Sequence, residues 1–186
     1  MSPLPKKEEA PIISTKRSID VKKIRFEVNQ IKLPMGVEGT FGMVRHPGAA
    51  IVVPIKSNGN LILLRQYRFA VSRRILEFPA GTLEQNEDPL NSIQRELGEE
   101  SGYKATRWDP LGIMLPCPGY SDESIHIFLA RDLIKLKEQP AGDDDEDIEV
   151  IEISKNEFER QIASGNEALD GKTITAWYRA CQFLKS

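Results

Sequence analysis

Residues 48–55 read Gly-Ala-Ala-Ile-Val-Val-Pro-Ile and carry neither a charge nor a hydrogen-bonding side chain. A strand made from such a run has no face that water can wet, so the rest of the chain must cover it on both sides. Asn58-Gly59 follows, the strongest short hairpin signal, and residues 61–64 (Leu-Ile-Leu-Leu) are the predicted partner strand. The chain has 186 residues, enough to enclose such a core within one domain on a scale of roughly 100–200 residues per domain.

The composition supports a globular protein. Hydrophobic residues make up 40% and charged residues 28%, which excludes collagen, wholesale disorder and low complexity. Lys and Arg number 25 against 28 Asp and Glu, for a net charge of −3. That balance speaks against nucleic-acid binding, which needs a basic face to neutralise phosphates. Cys117 and Cys181 are too few for a disulfide framework and lie in no cluster suited to zinc, so a reducing, cytoplasmic setting is expected. No apolar run approaches the roughly 18 residues of a membrane span. Residues 1–16 are rich in Pro and charge, lack a secretory apolar stretch, and are expected to form a flexible arm outside a single domain over 17–186.

From Ile24 the chain alternates, with Ile24, Phe26 and Val28 set against Arg25, Glu27 and Asn29, up to a turn at Leu33-Pro34-Met35-Gly36. Residues 75–78 form a short strand closed by Pro79. Asp88-Pro89 reads as an N-cap followed by proline at the first helical position. Leu90, Ile93 and Leu97 recur at helical spacing, and Gly102 stands at the C-terminal stop, so a helix is predicted over Pro89–Ser101. Strands over 108–114, 125–130 and 148–153 follow, then helices over 155–163 and 171–184. Strands outnumber helices and one helix sits mid-chain, which gives an α+β class without internal repeats.

Chemistry concentrates in Gln94-Arg95-Glu96-Leu97-Gly98-Glu99-Glu100-Ser101-Gly102. Glu96, Glu99 and Glu100 are spaced to share one helical face in the last turns, where the helix dipole disfavours anions and like charges repel. The triplet by itself reads equally as a solvated acidic face. Its neighbours favour a cation site. Gly81, after Pro79-Ala80, lets backbone carbonyls approach closely, and Arg95 has an ion-pair partner available in Glu87. Oxygen-only ligands of this kind suit Mg²⁺, Mn²⁺ or Ca²⁺.

Gly81, Glu87, Arg95, Glu96, Leu97, Glu99, Glu100 and Gly102 match the fixed positions of the Nudix box, Gly-x5-Glu-x7-Arg-Glu-U-x-Glu-Glu-x-Gly-U, with Tyr103 in place of the final aliphatic residue. The chain therefore resembles the Nudix hydrolases. The resemblance implies an α/β/α sandwich around a mixed sheet, preceded by an N-terminal antiparallel strand region. It also implies metal-dependent hydrolysis of a nucleoside diphosphate linked to another group. In such an enzyme Glu96, Glu99 and Glu100 hold Mg²⁺ (or Mn²⁺) with the Ala80 carbonyl, Glu99 and Glu100 counting as catalytic. Glu87 and Arg95 pair to fix the loop against the helix, and Gly81 and Gly102 serve the backbone.

Features outside the box resemble the ADP-ribose pyrophosphatase branch. Leu76-Glu77-Phe78-Pro79-Ala80-Gly81 is similar to its Glu-x-Pro-Ala-Gly lead-in. Cys117-Pro118-Gly119-Tyr120-Ser121-Asp122-Glu123 is similar to its Ser-Pro-Gly-Phe-Ser-Asp-Glu loop, and Pro118 falls where that branch places a proline. The signatures of the NADH and coenzyme A branches do not follow the box. Gln66-Tyr67-Arg68 resembles the branch's phosphate-contacting segment, which makes Arg68 the diphosphate contact, with Arg65, Arg73 and Arg74 nearby. Glu77 and Glu123 are expected at the substrate, Glu77 reading also as a structural ion pair. By position in the loop Asp143-Asp144-Asp145-Glu146-Asp147, Glu146 is the implied general base, and a mobile solvated acidic loop is the other reading. His46 and His126 read as packed or exposed rather than catalytic, and Trp108 and Trp177 as packing residues rather than base-stacking ones. Members of the branch pair as homodimers through N-terminal strands, here 21–45, where Phe26 and Phe41 are available for adenine. The expected reaction is cleavage of ADP-ribose to AMP and ribose 5-phosphate. Its rivals are another nucleoside diphosphate sugar or a dinucleoside polyphosphate as substrate, and a non-catalytic ligand sensor, against which the intact set of box acids argues.

Overall fold

The computed structural model describes residues 10–141 and 147–186. The chain divides into two compact units, one made of the residues up to Gly48 with Leu115–Ser124, the other of Ala49–Met114 and Ile125–Ser186.

The first unit is a three-stranded antiparallel sheet in the order β1-β2-β3, with β1 at Ile12–Val21, β2 at Ile24–Lys32 and β3 at Glu38–Arg45. Residues 12–16, expected in the arm, belong to β1. Lys22 takes a left-handed φ of 51° at the turn into β2, so the alternation seen from Ile24 is the second leg of a hairpin. The predicted turn after β2 is present, with Gly36 at φ 89° donating its N–H to the Leu33 carbonyl at 2.8 Å. The segment Leu115–Ser124 is laced to β3 through Val44, whose N–H donates to the Tyr120 carbonyl at 2.8 Å.

Among its described residues the second unit has two sheets and three α-helices. β4 (Ala49–Pro54) lies between β7 (Ala80–Thr82) and β9 (Ile125–Lys135), with β8 (Tyr103–Met114) beyond, in the order β7-β4-β9-β8. β4 runs parallel to β9 and antiparallel to β7, which makes the sheet mixed as expected. All six residues of β4 are buried. Ile51 and Val53 join a core with Phe78, Phe158 and Trp177, while Ala50 and Val52 face a second core with Ile93 and Leu97. The first core is closed by α2 (Lys155–Ser164) and α3 (Gly171–Phe183) and the second by α1 (Pro89–Ser101), so helices cover both faces. Phe158 meets Phe78 and Trp177 edge-on at 5.4 and 5.6 Å.

The hairpin expectation is half right. The turn forms, Lys56 accepting the Gly59 N–H at 2.8 Å, but β5 (Leu61–Arg68) leaves β4 after a single bridge, Ile55 to Leu61. β5 sits instead between β10 (Ile148–Ile153) and β6 (Arg73–Glu77). Pro54 has no N–H to give a ladder, and the Ile55 N–H is taken by Ala130 of β9 at 2.9 Å. β8 and β9 are longer than expected because residues 103–107 and 131–135 pair with each other, Tyr103, Ala105 and Leu133 packing against the second core while Lys104 and Asp132 stay exposed.

Candidate active site

The caps of α1 set where the box residues stand. Asp88 Oδ1 accepts the N–H groups of Leu90 and Asn91 at 3.0 and 3.1 Å, and Gly102 closes the helix at φ 70°. Ile93 and Leu97 point into the core, and Glu96 and Glu100 meet β7. Glu100 is 5% exposed, and its Oε2 accepts the Ala80 N–H at 3.0 Å. Glu96 lies against Gly81 so closely that a Cβ there would overlap its carboxylate. Gly81 is thus fixed by close approach, not by backbone conformation.

Arg95 gathers the acids. Its Nη2 is 2.9 Å from Glu96, its Nη1 2.8 Å from Glu99 and its Nε 3.5 Å from Glu87. The expected Glu87–Arg95 pair exists, but Arg95 lies closer to two members of the triplet. Burial works against the guanidinium's charge, and Glu96, Glu99 and Glu87 outweigh it, so its pKa stands above the ordinary arginine value. Glu87 also accepts the Glu84 N–H at 3.0 Å, the main reason its pKa lies below the usual carboxylate range. Anions at the C-terminal end of α1 are offset from outside the helix, where Lys135 Nζ donates to the Ser101 carbonyl at 3.2 Å and Gln139 to that of Glu99 at 2.6 Å.

A divalent cation is tested against these residues by their donor set. Glu96, Glu99 and Glu100 offer only anionic oxygens, the type hard cations prefer, and Gly81 leaves the approach to Glu96 open. As the side chains stand, no three acidic, histidine or cysteine groups among the described residues converge on one point. Arg95 holds two of the carboxylates, and a cation would take its place between them. The chemistry of the site fits Mg²⁺ or Mn²⁺ on that condition.

Beside the box lies a second charged group. Arg68, at the end of β5, donates from Nε and Nη2 to both oxygens of Glu77 at 2.8 and 2.9 Å. Burial lowers the Arg68 pKa, but Glu77 chiefly, with Glu100 and Asp170, raises it above the ordinary value, so Arg68 is in electrostatic reach of the box. Glu77 is 1% exposed and gives its oxygens to Arg68 and Lys172, in the manner of the ion pair read as the alternative to a substrate contact. Lys172 and its other partner, Asp170, went unremarked in the sequence. Gly171 reads there only as the start of a predicted helix, and Lys172 meets a carboxylate 95 positions away. Arg65 pairs with Glu167 at 3.1 Å and Arg74 with Asp147, which separates both from Arg68 in role.

Glu123 belongs to the first unit, where it lies 3.8 Å from His46 Nδ1. In that unit Arg45 bridges Glu27 and Asp122, both at 3.0 Å. Phe26 and Phe41 are exposed on β2 and β3. Trp177 packs in the core and Trp108 against the second core, as expected. His126 lies in β9, where burial lowers its pKa against the pull of Asp88. Glu146 lies outside the described residues.

A family model described as the NUDIX domain matches residues 44–178. An ADP-ribose pyrophosphatase of Bacillus subtilis (strain 168) is 35% identical over 168 residues, 90% of each chain. A methanol dehydrogenase activator of Bacillus methanolicus is 36% identical over 169 residues, again 90% of each. A solved structure of an ADP compounds hydrolase superposes with a TM-score of 0.81 at 21% identity, covering 97% of both chains. At that identity the superposition establishes a shared fold.

Proposed function

Since the chain belongs to the Nudix family, we propose that it hydrolyses the diphosphate of ADP-ribose to AMP and ribose 5-phosphate. The observation that carries this reading is the junction of β7 with the last turns of α1. There Glu100 is tied to Ala80, Glu96 nests on Gly81, and Arg68 stands within electrostatic reach. The kinship with an ADP-ribose pyrophosphatase over 90% of the chain supports the choice of substrate.

Glu96, Glu99 and Glu100, with the Ala80 carbonyl, would hold a Mg²⁺ ion. When bound, that ion neutralises the diphosphate and polarises the phosphorus under attack. Until an ion takes its place, Arg95 pairs with Glu96 and Glu99, and Glu87 anchors Arg95 to the loop before the helix. Arg68, held by its inner edge, presents the rest of its guanidinium to phosphate oxygens, for which a planar cation is suited. Glu146 is assigned by its sequence position to take the proton of the attacking water, and Glu123 by the resemblance of its loop to a substrate contact. The protein is taken to act as a homodimer. No helix among the described residues is long and apolar enough to cross a membrane.

Hydrolysis in ¹⁸O-labelled water with Mg²⁺ tests the reading, with other nucleoside diphosphate sugars and dinucleoside polyphosphates assayed alongside. ADP-ribose is expected to have the highest kcat/KM, with label in one product. Glu100→Gln, which keeps an acceptor for the Ala80 N–H, is expected to lower kcat by roughly 100-fold or more, the scale for loss of an electrostatic group acting on the transition state. Near-normal turnover in that variant would refute the carboxylate assignment.

A further inference from the structure

Glu77 is almost wholly buried and yet has two cations on it. Arg68 takes one oxygen with Nε and the other with Nη2, and Lys172 Nζ donates to that second oxygen, Oε2. Lys172 also donates to Asp170 Oδ2, and Asp170 caps α3 by accepting the Thr173 N–H on Oδ1 at 2.8 Å. The backbone on either side of Glu77 is bound to the same region. The Leu76 N–H donates to the Ala168 carbonyl at 2.9 Å and the Phe78 N–H to Thr173 Oγ1 at 3.2 Å.

Two carboxylates, Glu77 and Asp170, face two cations, so Lys172 balances Asp170 in charge and at the same time bridges it to Glu77. The two cations differ in access. The Arg68 side chain is 40% exposed and Lys172 is mostly covered. A phosphate that pulls on the exposed guanidinium would drag a singly held Glu77 with it. Lys172, fixed at the start of α3, holds Oε2 from the opposite side.

We propose that Lys172 is a positioning residue for Arg68, anchoring Glu77 to the N-terminus of α3 so that Arg68 Nη1 stays presented to a diphosphate. This rests on the reading of Arg68 as the contact for a nucleoside diphosphate. Lys172 itself touches no substrate. Its effect is on binding of the ground and transition states alike, so it appears in KM and leaves kcat in place.

The test compares wild type, Lys172→Met, Lys172→Arg, Glu77→Gln and the double variant Glu77→Gln/Lys172→Met. Two quantities are measured, steady-state hydrolysis of ADP-ribose with Mg²⁺ and the Kd for ADP by calorimetry. Lys172→Met is expected to raise KM and Kd about tenfold, the order lost with one charge-assisted hydrogen bond, while kcat changes less than about threefold. Lys172→Arg is expected to restore both. In the Glu77→Gln background, Lys172→Met is expected to add less than about twofold, because the two act through one contact. In that background position 77 carries no charge and the loss of Lys172 strands Asp170 alone, so it supplies the comparison if the single variant does not fold. Unchanged KM and Kd with a lowered melting temperature would overturn the proposal, as would an undiminished penalty in the Glu77→Gln background. Wild-type protein that binds ADP without hydrolysing ADP-ribose would refute the proposed reaction but leave Kd to decide on Lys172. Wild-type protein that does neither overturns both.

Discussion

Gly81 is legible as a box glycine, but only the structure shows what its missing Cβ is for. The space it would fill is occupied by the Glu96 carboxylate. The obstruction is the Glu96 side chain from its Cγ outward, so Gly81→Ala is expected to swing Glu96 aside and to lower the melting temperature without unfolding the protein. The Mg²⁺ concentration for half-maximal activity should then rise by about tenfold, as for loss of a metal-orienting contact. A variant with an unaltered Mg²⁺ requirement would show that Glu96 does not serve the ion. The box residues could be read from sequence because their spacing is local to one loop and one helix. Lys172 could not be, because its partner Glu77 lies in a strand far along the chain and only tertiary packing brings them together. The arginines near Arg68 show the same limit. Spacing did not separate them, whereas Glu167, Asp147 and Glu77 each claim a different one.

At the scale of elements, α1 was readable to its ends because both signals are local. Asp88 satisfies two N–H groups and Gly102 takes the left-handed conformation that stops the helix. Asp88→Ala is expected to lower stability by about 1 kcal/mol, measured by urea unfolding, the usual cost of losing such a cap. A larger loss of activity than of stability would be expected with it, since fraying moves Arg95 and the carboxylates that follow. The β4–β5 hairpin was readable only as a turn. Asn58-Gly59 specifies the reversal, but where β5 pairs depends on β10, more than eighty residues later in chain order, and on an N–H that Pro54 lacks. Residues 12–16 give no strand signal for a related reason. Every residue of β1 is exposed, so its sequence carries no burial pattern to read.

That exposure bears on the whole molecule. β1 is an edge strand among the described residues, and it presents Ile12, Ile13, Ile19 and Val21 to solvent. Ile19, 65% exposed, is in register with Phe26 of β2, itself 48% exposed, which sets two large apolar side chains side by side. Soluble monomers rarely leave a long apolar edge uncovered. A second copy of the chain is the occupant inferred here, in line with the homodimer expected from the resemblance. Sedimentation equilibrium is expected to give about twice the 21.0 kDa of one chain. Ile19→Asp places a charge beside Phe26 near the end of that edge, and burying an unpaired charge costs several kcal/mol. It should therefore move the equilibrium to monomer while the circular dichroism spectrum stays the same. Wild-type protein that sediments as a single chain at tens of micromolar or above would refute the dimer, and the edge strand would then need another partner.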